Sequence, residues 1–339
     1  MRRKRVNHKD VAERAGVSVA TVSYVVNNGP RPVSTKAREQ VEKAIWELGY
    51  YPNELARSLR RQQSSTIGVI IPRMTNPVYA EVVRGLEGIC TQEGFLVLLC
   101  NTERQPELER RFVQMLRAKH VDGVVITPHA EPQKLIEPLL QARIPVIVLE
   151  HDLPGVHCIG INELHGGLLA TEHLLGLGHR RIALLKHKPT SALSTRRSLG
   201  YQQALEKAGL GLEAQLILEC DGTHEAGYIA MGQLLRLSQP PTAVVAHDDV
   251  IAIGAMHAIY SQGLSIPTDI SVVGYDDIAS AAYLEPPLTT VRSPKAHMGT
   301  LAGQTLLKII RSTELIPTAT ITLPVELIVR ASTGRVKNS

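Results

Sequence analysis

The chain has 339 residues, 44% of them apolar and 20% charged, enough for two or three ordinary domains, and no apolar run approaches the about 18 residues of a membrane span. Charge is unevenly placed: residues 1–63 hold 13 Lys and Arg against 6 Asp and Glu, a net of +7, while residues 64–339 hold 24 against 26, a net of −2. A basic head on a near-neutral body points to a polyanion partner, and the start MRRKRVNHKDVAE has no apolar stretch behind it to make a secretory signal.

Taken in order, Lys9 to Ala15 predicts a helix with Val11, Ala12 and Ala15 on one face, stopped by Gly16. Ser18 caps a second helix that runs to about Asn27. Val22 and Val25 face a core, and Val19, Ala20 and Tyr24 point outward beside Thr21 and Ser23. NNGPRPV is a loop. Ser34 caps a third helix, with Val41, Ala44, Ile45 and Leu48 at helical spacing and Gly49 at its end. Pro52 breaks the chain, NELARSLRR offers a short fourth helix, and QQSS is a polar joint.

From Thr66 the texture changes. Apolar runs of strand length (TIGVII, FLVLLC, VDGVVI, IPVIVL) alternate with amphipathic helices, and after Asn162 a second series follows (RIALLK, QLILE, TAVVA, ISVVG). Near-continuous apolar strands with helices between them mean parallel sheets covered on both faces, here two doubly wound subdomains without an internal sequence repeat. Ligands of such sheets bind beyond the carboxyl ends of the strands, so the space between two facing lobes is the default ligand site.

Catalytic patterns fail on inspection. Gly16-Val17-Ser18-Val19-Ala20 lacks the last glycine of a nucleophile elbow and lies between helices. His224-Glu225 begins a zinc-protease motif that has no second histidine, and no phosphate-binding loop is present. Four scattered cysteines, Cys90, Cys100, Cys158 and Cys220, fit buried thiols in a reducing cytosol. The sequence therefore predicts no catalytic residue, no metal and no cofactor. What holds is a helix, a tight turn at Gly16 and a capped second helix: a helix-turn-helix, whose second helix enters the major groove of DNA.

At this point the chain resembles the lactose-repressor/galactose-repressor family of bacterial regulators. KDVAERAGVSVATVSYVVNN, VEKAIWELGYYPN and LARSLR in the head, and NPVY, VDGVVITP, GHRRIALL, RRSLGY, DDVIAIGA and SVVGYDDI in the body, match in order. The resemblance implies base-reading roles for Val19, Ala20 and Tyr24. Small apolar groups suit thymine methyls, and the Tyr24 hydroxyl makes one hydrogen bond where an Arg of many relatives would make two to guanine. Ser18 joins this surface as the helix cap. Thr21, Ser23 and Asn27 match phosphate-contacting positions, with local capping as the plainer reading. NELARSLRR resembles a hinge helix, too short to stand alone in water, with Leu59 as a wedge for the minor groove.

For the body the resemblance implies a periplasmic-binding-protein fold with Asn76, Tyr79, Thr127, Arg197, Asp248 and Asp276 at the effector cleft, an Arg and two Asp suiting hydroxyl groups. An interlobe salt bridge is the plainer reading of the charged three. Two departures stand out. Asp248 replaces a usual Asn, and Gly222 in CDGTHEAGY stands where many sugar-binding members carry an aromatic. His129, His151 and His247 lie at strand ends as further candidates or bystanders.

The resulting division is 1–51 for the DNA-binding domain, 52–65 for hinge and linker, 66–162 with 294–323 for one effector-binding subdomain, and 163–293 with 324–339 for the other. The reading is a sequence-specific DNA-binding transcriptional regulator, a repressor, in the bacterial cytoplasm at the nucleoid. A small-molecule effector, a sugar or other polar metabolite, controls it. It binds a pseudo-palindromic operator as a homodimer, since the chain stops nine residues after ELIVR without a heptad segment, and it has no membrane partner. The alternatives are a small-molecule binding protein with a non-specific basic tail, and an enzyme working in the cleft.

Overall fold

A computed structural model describes residues 6–27, 29, 31–51, 63–129, 131–187 and 192–337. The chain forms two compact units, Met1–Ser64 and Ser65–Ser339.

In the first unit, α1 (His8–Ala15) begins with a capping box. The Asn7 side chain accepts from Lys9 N at 2.8 Å, and Asp10 Oδ2 accepts from Asn7 N at 2.8 Å. Gly16, at φ 66°, closes the helix in the left-handed region. α2 (Val19–Asn27) starts at Ser18, whose Oγ accepts from Thr21 N at 3.0 Å. α3 (Thr35–Leu48) is capped by Ser34 and ended by Gly49. Val11, Ala12, Ala15, Val22, Val25, Val41, Ala44 and Tyr50 form one small core, with Ile45 and Leu48 half-buried against it. The predicted helix at 53–61, and Leu59 within it, lie outside the described residues.

The second unit opens with β1 (Thr66–Ile71), α4 (Pro77–Gln92), β2 (Leu96–Asn101), α5 (Pro106–Ala118), β3 (Gly123–Ile126), α6 (Pro132–Gln141), β4 (Val146–Leu149) and β5 (His157–Ile161). α7 (Glu163–Gly176), β6 (Ile182–His187), α8 (Ala192–Lys207), β7 (Ile217–Cys220), α9 (His224–Leu234), β8 (Ala243–Ala246), α10 (Asp249–Ser261), β9 (Ser271–Asp276) and β10 (Thr289–Arg292) follow. α11 (Lys295–Arg311), β11 (Thr320–Leu323) and β12 (Glu326–Ile328) complete it.

The strands make two six-stranded sheets, ordered β11-β5-β4-β3-β1-β2 and β12-β10-β9-β8-β6-β7. In each, the order reverses at one place, between β1 and β3 and between β6 and β8, which opens a crevice at the carboxyl ends. The central strands β3, β4 and β9 are buried throughout, as their unbroken apolar runs predict. All pairings are parallel except β10 with β12. The sequence led us to expect wholly parallel sheets. The exception is a three-residue edge strand, which the chain enters from β11 of the other sheet through Pro324 and Val325 and which runs against β10.

The polypeptide passes between the sheets three times: from β5 into α7, from β10 into α11, and from β11 to β12. α11 returns to pack on α4, and the approach is close. A methyl group on Gly299 would fall 1.9 Å from the Val82 carbonyl oxygen, and one on Gly85 would fall 2.0 Å from that of Ala296. No described helix is long and apolar enough to cross a membrane.

Backbone cannot yield as a flexible side chain can, so Gly299→Ala is expected to lower stability by about 1–3 kcal/mol. A urea titration reads this as a lower midpoint at unchanged slope.

Candidate functional site

One cleft in the second unit gathers residues from both sheets. Pro72 follows β1, Arg104 follows β2, Thr127 follows β3 and Glu150 follows β4; opposite them, His187 ends β6, His247 and Asp248 follow β8, and Asp276 ends β9. Asn76 and Tyr79 enter from the start of α4, Arg197 from α8 and Lys295 from the start of α11. All six cleft residues expected from the sequence, Asn76, Tyr79, Thr127, Arg197, Asp248 and Asp276, line this space.

Their polar atoms are tied into a chain of alternating charge. Arg197 donates through Nε and Nη2 to the two oxygens of Glu163, the Nη2 bond being 3.0 Å, and through Nη1 to the His247 carbonyl. Its guanidinium also stacks over the Tyr275 ring at 3.7 Å and lies 3.9 Å from Asp276. Asp276 in turn lies 3.7 Å from Lys295, which donates to Glu150 at 2.7 Å. The side chains of Lys295 and Glu150 are each 5% exposed, and that of Glu163 is fully covered. Burial alone would drive these groups neutral. Burial raises the proton affinity of Glu150, yet Lys295 more than offsets it and holds the carboxyl below its ordinary range. Burial likewise works against the charge on Arg197 and Lys295, but their acid partners keep both above their ordinary values. Asp276, with its cations at longer range, stays raised by burial.

Glu150 and Asp276 also share a strained backbone, at φ 61° and 102°, which non-glycine residues rarely adopt. Of the charged three, Asp276 reaches toward the other subdomain's Lys295, as the plainer reading of an interlobe salt bridge expected, whereas Arg197 pairs with Glu163 and Asp276 on its own side. Arg197 is largely spent on holding Glu163 and His247, whereas Asp276 keeps capacity to accept, taking one bond from Ser293 at 3.1 Å.

The opposite end of the cleft is built around His187. Its Nε2 donates to Asp248 Oδ2 at 2.9 Å, and its backbone N–H donates to His247 Nδ1 at 3.2 Å. Asp248 caps α10 as well, accepting from Ile251 N at 2.7 Å. Burial raises the Asp248 carboxyl, but the His187 bond, the Ile251 N–H and Arg197 together pull it down to about 2. His247 is held well below its ordinary value by burial and by Arg197, so it is neutral at physiological pH. The His187 ring occupies the space beside Gly222, where an added Cβ would lie 2.5 Å from His187 Cε1. The absent aromatic at 222 is therefore not an empty place: His187 fills it from β6.

Sequence reasoning missed His187, Glu150, Lys295, Arg104 and Glu163. The first four sit just at or after strands β6, β4, β2 or at the start of α11, so the strand-end rule, applied to every strand rather than to family positions, would have found most of them. His129 and His247 line the cleft. His151 does not, and its Nδ1 lies 3.3 Å from the Leu149 carbonyl.

In the first unit, Ser18, Val19 and Ala20 are exposed at the start of α2, and Thr21, Ser23, Tyr24 and Asn27 are half-buried. Val19 is 46% exposed and presents methyl groups to the outside. The hydroxyls are locally engaged: Ser18 Oγ and Thr21 Oγ1 are 2.9 Å apart, and Asn27 Nδ2 donates to the Ser23 carbonyl at 2.9 Å. The Tyr24 ring rests against Gly29, where a Cβ would meet Tyr24 Cδ1 at 2.4 Å.

Residues 8–53 match the family model described as bacterial regulatory proteins, lacI family, and residues 171–333 match a periplasmic binding protein-like domain. The HTH-type transcriptional repressor PurR of Actinobacillus pleuropneumoniae serotype 3 is 38% identical over 328 residues, covering 96% of this chain and 97% of the relative. The crystal structure of the lac repressor dimer bound to operator and the anti-inducer ONPF is 33% identical, with a TM-score of 0.87 over 98% of this chain and all of that one. A lacI-family regulator from Enterococcus faecium with bound ribose is 32% identical, with a TM-score of 0.75 over 80% of this chain and all of that one.

Two outcomes are expected. Gly222→Phe lowers the thermal midpoint of the wild-type background, and His187→Gly in the same chain restores much of the loss; a double-mutant cycle of the two measures the coupling. Because folding depresses the Asp248 carboxyl from 3.8 to about 2, its contribution is present above pH about 4 and is lost as pH falls toward 2. Acid titrations of unfolding should therefore show a steeper loss across that window for the wild type than for Asp248→Asn.

Proposed function

The chain belongs to the lacI family of bacterial regulatory proteins and is a DNA-binding transcriptional regulator; we propose that α2 reads an operator while a small polar effector in the body's cleft sets the affinity. The observation that carries this is the convergence of strand ends from two sheets on one charged cleft, in a chain whose other unit exposes the first turn of a capped helix. Val19 and Ala20 contact thymine methyls, Tyr24 makes one hydrogen bond to a base edge, and Thr21, Ser23 and Asn27 bond phosphates. Their present local bonds hold the side chains in place for that task at little ordering cost.

Two copies bind a pseudo-palindrome, as the lac repressor dimer binds its operator. Leu59 enters the minor groove between them, and residues 52–65 carry the coupling from body to head. The protein works as a repressor in the cytoplasm, at the nucleoid. The effector is a hydroxyl-rich metabolite, in line with the ribose bound in the E. faecium regulator. Asp276, Asn76, Tyr79 and Thr127 accept and donate its bonds, while Arg197 and Asp248 fix the walls. The subdomains run 66–162 with 294–323 and 163–293 with 324–339.

Selection of operator from random duplexes, followed by footprinting at several salt concentrations, tests the reading. One palindrome should be preferred, with affinity falling linearly in log salt; equal binding to all duplexes would instead support a basic tail on a small-molecule binder. Tyr24→Ala should weaken the selected site about tenfold, one hydrogen bond's worth, and leave non-specific binding unchanged. For the cleft, a thermal-shift panel of pentoses, hexoses and their acids and phosphates is expected to yield a ligand that alters operator affinity. Asp276→Asn should abolish that response while DNA binding persists. Arg197→Ala is the poorer test, since it leaves Glu163 buried and unpaired at a cost of about 3–5 kcal/mol.

A further inference from the structure

Behind the cleft wall lies a buried acid that none of the ion pairs above uses. Asp249, the first residue of α10, is fully covered, and so is Thr290 on β10. Asp249 Oδ1 shares a hydrogen bond of 2.6 Å with Thr290 Oγ1, and its Oδ2 accepts from Ile278 N at 2.8 Å. Thr290 Oγ1 also accepts from Asp277 N at 3.3 Å. The two N–H groups held in this way are those that directly follow Asp276. β9 leaves room for the grip. Thr290 stands opposite Gly274 in the parallel register, and a Cβ on Gly274 would fall 2.2 Å from Asp249 Oδ1. The turn that is gripped is a strained one. Asp276 and Asp277 both have positive φ, 102° and 54°, and such backbone persists only where its surroundings fix it. From the other side, the Asp277 carboxylate accepts from Arg292 Nε at 2.7 Å and from Arg330 Nη2 at 2.6 Å.

We propose that Asp249 and Thr290 are positioning residues for effector binding: they grip the Asp277–Ile278 backbone and so hold the Asp276 carboxyl in the cleft, without touching the ligand themselves. This rests on the cleft being the effector site and adds residues that act through Asp276. Asp276 lines the cleft, whereas neither Asp249 nor Thr290 does. A carboxyl at the end of a strained turn is directed only as well as the turn is held. Loss of the inner grip lets the two positive φ values relax, and the side chain they aim turns with them.

The test uses the full chain, isotope-labelled at its aspartate carboxyl carbons, with the Asp276 signal identified by its loss in Asp276→Asn. Burial holds that carboxyl above its ordinary range. Thr290→Val removes the hydroxyl and keeps the side chain's shape, and it should bring the Asp276 titration down toward the ordinary range. Thr290→Ser puts the hydroxyl back and should restore it. Burial, with the Asp276 charge adding to it, raises the Asp249 carboxyl well above its ordinary range. Asp249→Asn, which can still accept from Ile278 and donate to Thr290, should therefore leave the Asp276 titration in place. Amide exchange across residues 276–280 should quicken about tenfold in Thr290→Val, one hydrogen bond's worth. Against the panel of pentoses, hexoses and their acids and phosphates, Thr290→Val should lose the thermal shifts that Asp276→Asn loses, each taken from the variant's own midpoint. A Thr290→Val chain with a lower midpoint but an unmoved Asp276 titration would overturn the proposal, as would panel shifts that it retains or a titration that Thr290→Ser fails to restore. A panel without a hit on the wild type rejects the effector reading instead, and the ligand-free titration still decides whether the grip aims Asp276.

Discussion

Five charged side chains, Glu163, Arg197, Asp276, Lys295 and Glu150, run in alternating sign through the heart of the body. The rest of the molecule is arranged to offset the cost of holding them out of water. Two enter at the places where the chain crosses between sheets, Glu163 after β5 and Lys295 after β10, and the others sit at strand ends or on α8. Each is expensive alone and tolerable only with its neighbours. Such a chain does little for net stability compared with an apolar core. What it does is fix the carboxyl ends of both sheets relative to one another, so that a ligand arriving among them meets directed oxygens and N–H groups in place of loose side chains.

The two units solve opposite problems. The head must show a polar-poor surface to a partner, and it does so by capping: Ser18 and Gly16 set the angle at which α2 emerges, and the small core behind it has eight buried residues among those described. The body must hide polar groups from water until a ligand replaces it. His187 and Asp248 illustrate how local that work is. A single histidine at the end of β6 occupies the volume beside Gly222 and pins the start of α10, so one side chain both shapes the cleft and braces a helix.

Much of this was legible in the residues. Helix caps at Ser18 and Ser34, stops at Gly16 and Gly49, and the buried strands β1, β3, β4, β8 and β9 follow from local chemistry that reads the same in any context, whereas the apolar edge strand β2 stays largely exposed. The six residues that the family resemblance implied also converged: Thr127, Asp248 and Asp276 sit at strand ends, while Asn76, Tyr79 and Arg197 enter on helices. Less legible was which atoms would be spent on whom. Arg197 reads as a ligand-binding group from its surroundings in sequence, but Glu163, 34 residues earlier, takes two of its donors. That pairing depends on how α7 and α8 pack, which no local pattern encodes. His187 was hidden for a similar reason: its partner Asp248 lies 61 residues away, and the glycine that makes room for it lies on a different loop. The antiparallel β12 escaped because parallel and antiparallel edges share the same short apolar signature.

The three passages of polypeptide between the sheets constrain how the body can change shape. With a single tether, the halves of such a molecule could swing about any axis. Three tethers favour motions in which all three passages bend together over sliding of one half past the other. The same three passages that let the cleft open therefore also narrow the ways in which it can close.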